Sequence, residues 1–296
     1  MSKALKFFLV LLAIFALSVL LAPPFYSLLS SFFKFEKIFN RLVMIFSVSA
    51  AVLFILIPAY KKEKKFLRPG IWSQYGFDFL SPWRKLFFYG FLAGGLTVAL
   101  MAVVEVAIGP RYLRQPLMAQ DIVERFFKGM LSGLIIGIVE EFFFRGFIFM
   151  QLKKRLNLWV AVIAASAFYS LTHFLDNGQI FIPAHPSMKD AVRLLLGYLE
   201  PMMKRPSDIL PEFTGLFFFG VLLNIAFMRT QSLFLPIGIH AGAVFLIKFQ
   251  HSFVRGGPET YHSYFGTLPY YDGVFEWFVL VLLGVSIWFM TRKPIR

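Results

Sequence analysis

The stretch KGMLSGLIIGIVEEFFFRGFIFM, residues 128–150, holds Glu140, Glu141 and Arg145 inside an otherwise apolar run from Leu131 to Met150. Water solvates three such groups far better than hydrocarbon does, so ionisable residues within a membrane span are rare and by default mark function. Arg145 lies four residues after Glu141, a spacing that juxtaposes the two side chains on a helix and predicts an ion pair. Glu140 lies about 100° around the helix from Glu141. The arginine therefore holds one carboxylate while the other faces elsewhere. Gly129, Gly133 and Gly137 recur every four residues and Glu141 continues their row. Those glycines form a smooth stripe where another helix approaches closely.

The rest of the chain has the composition of a membrane protein. Of its 296 residues 58% are hydrophobic and only 16% charged, too few to coat a soluble core of this size; the mean hydropathy is +0.70. Apolar runs close to the ~20 residues that cross a bilayer as a helix recur along the chain. They fall at approximately 4–29, 40–60, 84–108, 129–150, 157–175, 212–229, 232–250 and 274–291. None shows the apolar/polar alternation of a barrel strand. The expected fold is an all-α, polytopic transmembrane helix bundle of about eight spans. The first run follows Lys3 and Lys6 as a signal peptide's core would, but it is longer and lacks a clear cleavage site, so it reads as an uncleaved span.

Thirty Lys and Arg against sixteen Asp and Glu give a net charge of +14. Most of these cations flank apolar runs, as the positive-inside bias requires, and the cluster KKEKK at 61–65 suits anionic lipid better than nucleic acid. The expectation is a multi-pass protein of the cell membrane, with both termini cytoplasmic, the lipid bilayer as partner and no nucleic-acid role. Cysteine is absent, which excludes disulfides and thiol catalysis. The connection 176–211 carries five prolines; within it SMKDAVRLLLGYLEPMMK predicts an interfacial helix, with Ser187 as N-cap, Asp190 three residues on, and Val192, Leu195, Leu196 and Leu199 on one face. The diglutamate occurs once, with no second copy in the later spans, which counts against a duplicated transporter architecture.

Five histidines are present. His185, His251 and His262 fall in loops beside Pro, Gly or Ser. His173, in FYSLTHF, ends the fifth run, and His240, in PIGIHAGAVF, sits near the middle of the seventh. No two histidines have a close helical ligand spacing, so no zinc motif is written in the sequence. Together with the diglutamate these two suggest water activation: Glu140 would deprotonate a water that His173 holds, and His240 would hydrogen-bond the carbonyl oxygen as charge develops there. No serine sits in a recognisable nucleophile motif.

EEFFFR at 140–145, YSLTH at 169–173 and RTQSLFLPIGIHAG at 229–242 resemble, in order and spacing, three motifs of the CPBP (CAAX protease and bacteriocin-processing, or Abi) family of intramembrane endopeptidases. The resemblance covers about 129–250. It divides the chain into N-terminal spans at 1–128, a catalytic core at 129–250, and a C-terminal loop and span at 251–296. It implies a membrane-embedded hydrolase cleaving a peptide or protein substrate, prenylated or membrane-bound. Glu140, Glu141, His173 and His240 would be catalytic, with Arg145 and Tyr169 in support. The family pattern has phenylalanine where this chain has Tyr169. It has asparagine four residues after the last histidine, where this chain has Val244; Asn224 is the substitute donor in the sixth run. No cofactor is firmly indicated. A metalloendopeptidase-like role for a divalent ion such as zinc would use Glu140, His173 and His240. Two alternatives stand beside the protease: a proton-coupled transporter relaying protons through the glutamates, and a catalytically silent immunity or scaffold relative.

Overall fold

The computed structural model describes residues 3–30, 71–115, 117–174, 185–198, 200–204, 206–257, 261–267 and 270–291, with the single positions 39, 42, 43, 46 and 183. The principal helices are α1 (Lys3–Ser30), α2 (Trp83–Ile108), α3 (Ala119–Glu141), α4 (Leu158–Thr172), α5 (Met188–Gly197), α6 (Pro206–Thr230), α7 (Phe234–Gln250) and α8 (Val274–Met290). The described chain is a helical bundle. Seven of the eight apolar runs coincide with helices; the run at 40–60 and the KKEKK cluster lie outside the described residues, save three single positions in that run.

Two of the helices start earlier than the hydropathy suggests. Helix α3 extends back to Ala119 and α6 back to Pro206. Both extensions are polar turns that favour a helix start: Asp121 and Asp208 lie in the first turns, where the dipole favours negative charge, and Pro206 at the first position has no N–H to leave orphaned. Residues 206–211 are therefore helix, although they lie in the stretch read as a loop.

Three described helices, Leu12–Ser30, Trp83–Ile108 and Pro206–Thr230, are long and apolar enough to cross a membrane, and 158–172, 234–250 and 274–290 are shorter apolar helices. Burial is inverted relative to a soluble protein. Leu96, Leu100 and Val103 of α2, Leu131 and Ile135 of α3, and Phe278 and Val281 of α8 are exposed, whereas Glu105, Arg111, Glu141, Arg145, Asn224, His240 and Glu276 are buried. An apolar exterior around a polar interior is what a lipid solvent selects. The chain is an integral membrane protein.

The chain divides into two compact units, one of residues 1–68 with 173–206 and the other of 69–172 with 207–296. These boundaries differ from the three-part division drawn along the sequence. In the smaller unit α1 packs on α5 through Val19, Ala22, Phe39, Leu42, Val43, Ala191 and Leu194. The carboxylate of Asp190 accepts from both the backbone N–H and the hydroxyl of Ser187, at 2.7 Å each, so the start of α5 falls where the sequence places it. Its buried face is set by Ala191, Leu194 and Gly197; Leu196 is exposed, which corrects the face read from the sequence.

The larger unit is built around α7, which is buried along most of its length because small residues let helices close on it from two sides. The expected stripe on α3 meets it: a Cβ on Gly133 would lie 2.5 Å from the Ala241 carbonyl oxygen, and one on Gly137 3.1 Å from that of Ile237. On the other side Gly94 of α2 faces the Ile239 carbonyl, where a Cβ would come to 2.0 Å. Only glycine admits such an approach. Helix α6 adds two apolar layers: Leu222, Leu223 and Ala226 pack with α2, α7 and α8, and Phe227 and Met228 pack with α4 and Phe149.

A short antiparallel ribbon, β1 (Arg111–Leu113) with β2 (Val254–Gly256), closes one end of this unit. It turns Arg111 inward, against Glu105 at the end of α2 and Glu276 at the start of α8 (3.5 Å), with its guanidinium 4.2 Å from the Tyr270 ring. The carbonyls of Phe265 and Thr267 accept from the same guanidinium at 3.1 and 2.5 Å. Neither the ribbon nor this network was legible in the apolar pattern.

Candidate active site

Glu141 is the last residue of α3, and the chain continues from it as a π-helix over Phe142–Phe149. π-Helical turns are uncommon and recur at functional sites. The wider turn does not break the predicted pair: Arg145 Nη1 donates to Glu141 Oε1 at 2.9 Å, both side chains being buried. Arg145 Nη2 donates to the carbonyl of Gly220 on α6 at 3.1 Å. Its guanidinium lies 4.6 Å from the Tyr169 ring of α4, a stacking that a planar cation is suited to make. One arginine thus ties the π-helix, α4 and α6 together.

Glu141 Oε1 also receives His240 Nδ1 of α7 at 2.7 Å. The glycine stripe explains why these groups meet: by seating α7 directly on α3 through Ala241, it brings the neighbouring His240 to the end of the same row. With Nδ1 on Glu141, the ring turns Nε2 towards Glu140, whose Oε2 is 3.9 Å away. Glu140 is 28% exposed, whereas Glu141 is fully buried. The two adjacent carboxylates therefore occupy different environments, as their 100° separation implies. Aromatic rings wall the imidazole: Phe219 at 5.3 Å and Tyr169 at 6.3 Å, both edge-on.

The structure brings Glu140, Glu141, Arg145, Tyr169 and His240 together. Asn224, on α6 one turn beyond Gly220, is buried and donates its amide to Ser166 Oγ at 3.0 Å; its described hydrogen bond links α6 to α4. Val244 is half-buried on α7, one turn after His240. His173 is exposed in the turn after α4, and it opens the second segment of the smaller unit. Phe219, Gly220 and Ser166 were not singled out from the sequence. They are apolar or small positions in a hydrophobic helix, and only their neighbours give them meaning. Among the described residues no group of three His, Cys, Asp or Glu side chains is arranged to hold a metal ion.

A membrane helix bundle enclosing a diglutamate, an arginine and a histidine defines an integral membrane protein with a polar site in its core. Its class follows from the sequence of that core. Residues 123–246, less than half of the chain, match the family model described as Rce1-like, type II CAAX prenyl endopeptidase, which agrees with the CPBP/CAAX protease family that the three motifs resemble. The matched region spans α3 through most of α7, including every site residue discussed above. No curated protein and no solved structure matches the chain.

Proposed function

We propose that this protein is an intramembrane endopeptidase that hydrolyses a peptide bond of a membrane-associated, CAAX-type substrate, with Glu140 as the base that activates water. The observation that carries the reading is the 3.9 Å separation of Glu140 Oε2 and His240 Nε2. That gap is long for a direct hydrogen bond, and one water joins the two groups once the buried Oε2 is uncovered. Glu140 is the partly exposed member of the pair of glutamates, although its Oε2, the oxygen that faces His240, is buried. Glu141 is enclosed by Arg145 and His240 and acts through them, as a positioning residue.

In this mechanism Glu140 takes a proton from the water as oxygen attacks the scissile carbonyl, and delivers it to the departing amine. His240 is the oxyanion donor in its doubly protonated form, with Nδ1–H on Glu141 and Nε2–H on the developing alkoxide. Charge balance supports that form: two carboxylates, one guanidinium and one imidazolium make a neutral set, the arrangement that burial favours. The test is peptide release by the purified protein from a farnesylated CAAX peptide, compared with the unprenylated peptide. Glu140→Gln should reduce release by roughly 10²–10⁴-fold, the usual worth of general acid–base catalysis, while leaving the folded state intact. Undiminished release by that variant would overturn the assignment of the base.

A further inference from the structure

Beside the start of α3 and the end of α7 lies a groove of about 360 Å³, lined by Arg125, Lys128, Gly129, Leu131, Ser132 and Lys248. We propose that it binds the phosphate of an anionic phospholipid, with the acyl chains running along α3. Three cations and one hydroxyl line it, and no carboxylate does; Glu124, outside the lining, pairs with Lys128 and also feels the charge of Arg125. The backbone builds this concentration of charge. A Cβ at Gly129 would lie in ordinary van der Waals contact with Lys248 Cβ, 3.6 Å away, so the lysine stem runs directly beside α3. An arginine fork with two flexible ammonium groups is a donor set matched to phosphate oxygens.

The surroundings select lipid over a soluble anion. Leu131, Ile135 and Val139 are 61%, 53% and 60% exposed, and at four-residue spacing they form one apolar strip running from the groove along α3, while the exposed Val123 and Phe127 flank the cations. A phosphate in the groove places its hydrocarbon on that strip. Cationic crowding also appears at His251, just past α7: burial holds its imidazole below the ordinary value, and the Arg125 and Arg111 guanidiniums add to the effect. Ser132 is about 12 Å from Glu140 along the helix, at 1.5 Å per residue, so the groove is separate from the proposed catalytic site and does not depend on it.

Native mass spectrometry of the full chain, delipidated in detergent and titrated with phosphatidylglycerol or with phosphatidylcholine of the same acyl chains, tests the proposal. Phosphatidylglycerol should be preferred. Each cation removed should weaken its binding roughly fivefold, so Arg125→Gln/Lys248→Gln loses roughly twenty-five-fold. Lys153→Gln/Arg155→Gln, at another cationic turn, should bind as the wild type does. Should the double variant misfold, the exposed Lys248→Gln alone must show its fivefold loss. Equal binding of the two lipids, or equal losses in both double variants, would reduce the groove to snorkelling side chains. Displacement of the lipid by inorganic phosphate at matched concentration would make it a site for a soluble anion. Either result overturns the lipid assignment.

Discussion

His240 Nδ1 lies 2.7 Å from Glu141 Oε1, across 99 residues of sequence. The contact joins two helices whose backbones touch through glycine and alanine. Glu141 is shared: the oxygen that meets the histidine also accepts from Arg145. A buried carboxylate held by two donors is fixed in position, and it fixes the ring in turn. The direction in which Nε2 points, towards Glu140, is thus set by residues that need never touch substrate.

Arg145 is therefore a structural tie within the proposed site. Arg145→Ala removes the guanidinium from Glu141, the Gly220 carbonyl and the Tyr169 face together. Stranding a buried carboxylate should destabilise the protein by about 3–5 kcal/mol, read as a lower midpoint in thermal unfolding of the detergent-solubilised protein. Arg145→Lys should restore little, because an ammonium cannot donate as a planar fork while stacked on a ring. Full stability in Arg145→Lys would show that charge alone suffices.

Gly133 tests the link between packing and chemistry. Any side chain there must displace the Ala241 carbonyl, next to His240. Gly133→Leu should cost about 1–3 kcal/mol as an overpacked contact, and it should also lower the rate of peptide release by moving Nε2 away from Glu140. Unchanged turnover in this variant would mean that the separation of α3 and α7 does not set the site.

Val244 occupies the place where the family pattern carries an oxyanion donor. Its position one helical turn after His240 puts it on the same side of α7. Val244→Asn should raise peptide release, by up to roughly 10²-fold if the full worth of one oxyanion donor is recovered. A gain in this variant that vanishes in Val244→Asn/His240→Ala would tie the donor to the histidine. No gain would indicate that another group already serves.

The Arg111 network should matter for stability without touching catalysis. Arg111→Ala leaves Glu105 and Glu276 facing each other in a buried end of the bundle, and it should lower stability by about 3–5 kcal/mol. Replacing all three residues by apolar ones of similar size should recover most of that loss, since buried ion networks are often dispensable once no charge is stranded. Thermal unfolding of the two variants, side by side, checks both statements.

By itself the sequence determined the helical class, the position of seven apolar runs, the Glu141–Arg145 pair and the glycine stripe on α3. Each is a local or periodic property: length and hydropathy choose a spanning helix, and a four-residue spacing decides which side chains share a face. Tertiary structure alone decided which helix fills the stripe, and hence that His240 meets Glu141. The same holds for Phe219 and Tyr169 around the imidazole, for Gly220 as an acceptor, and for the ribbon that buries Arg111 between two distant glutamates. Those contacts join residues tens to hundreds of positions apart, and nothing in the spacing of an apolar helix records which partner its small residues will admit. In lipid the hydrophobic effect does not distinguish one apolar helix face from another, so close packing and buried polar pairs choose the partners.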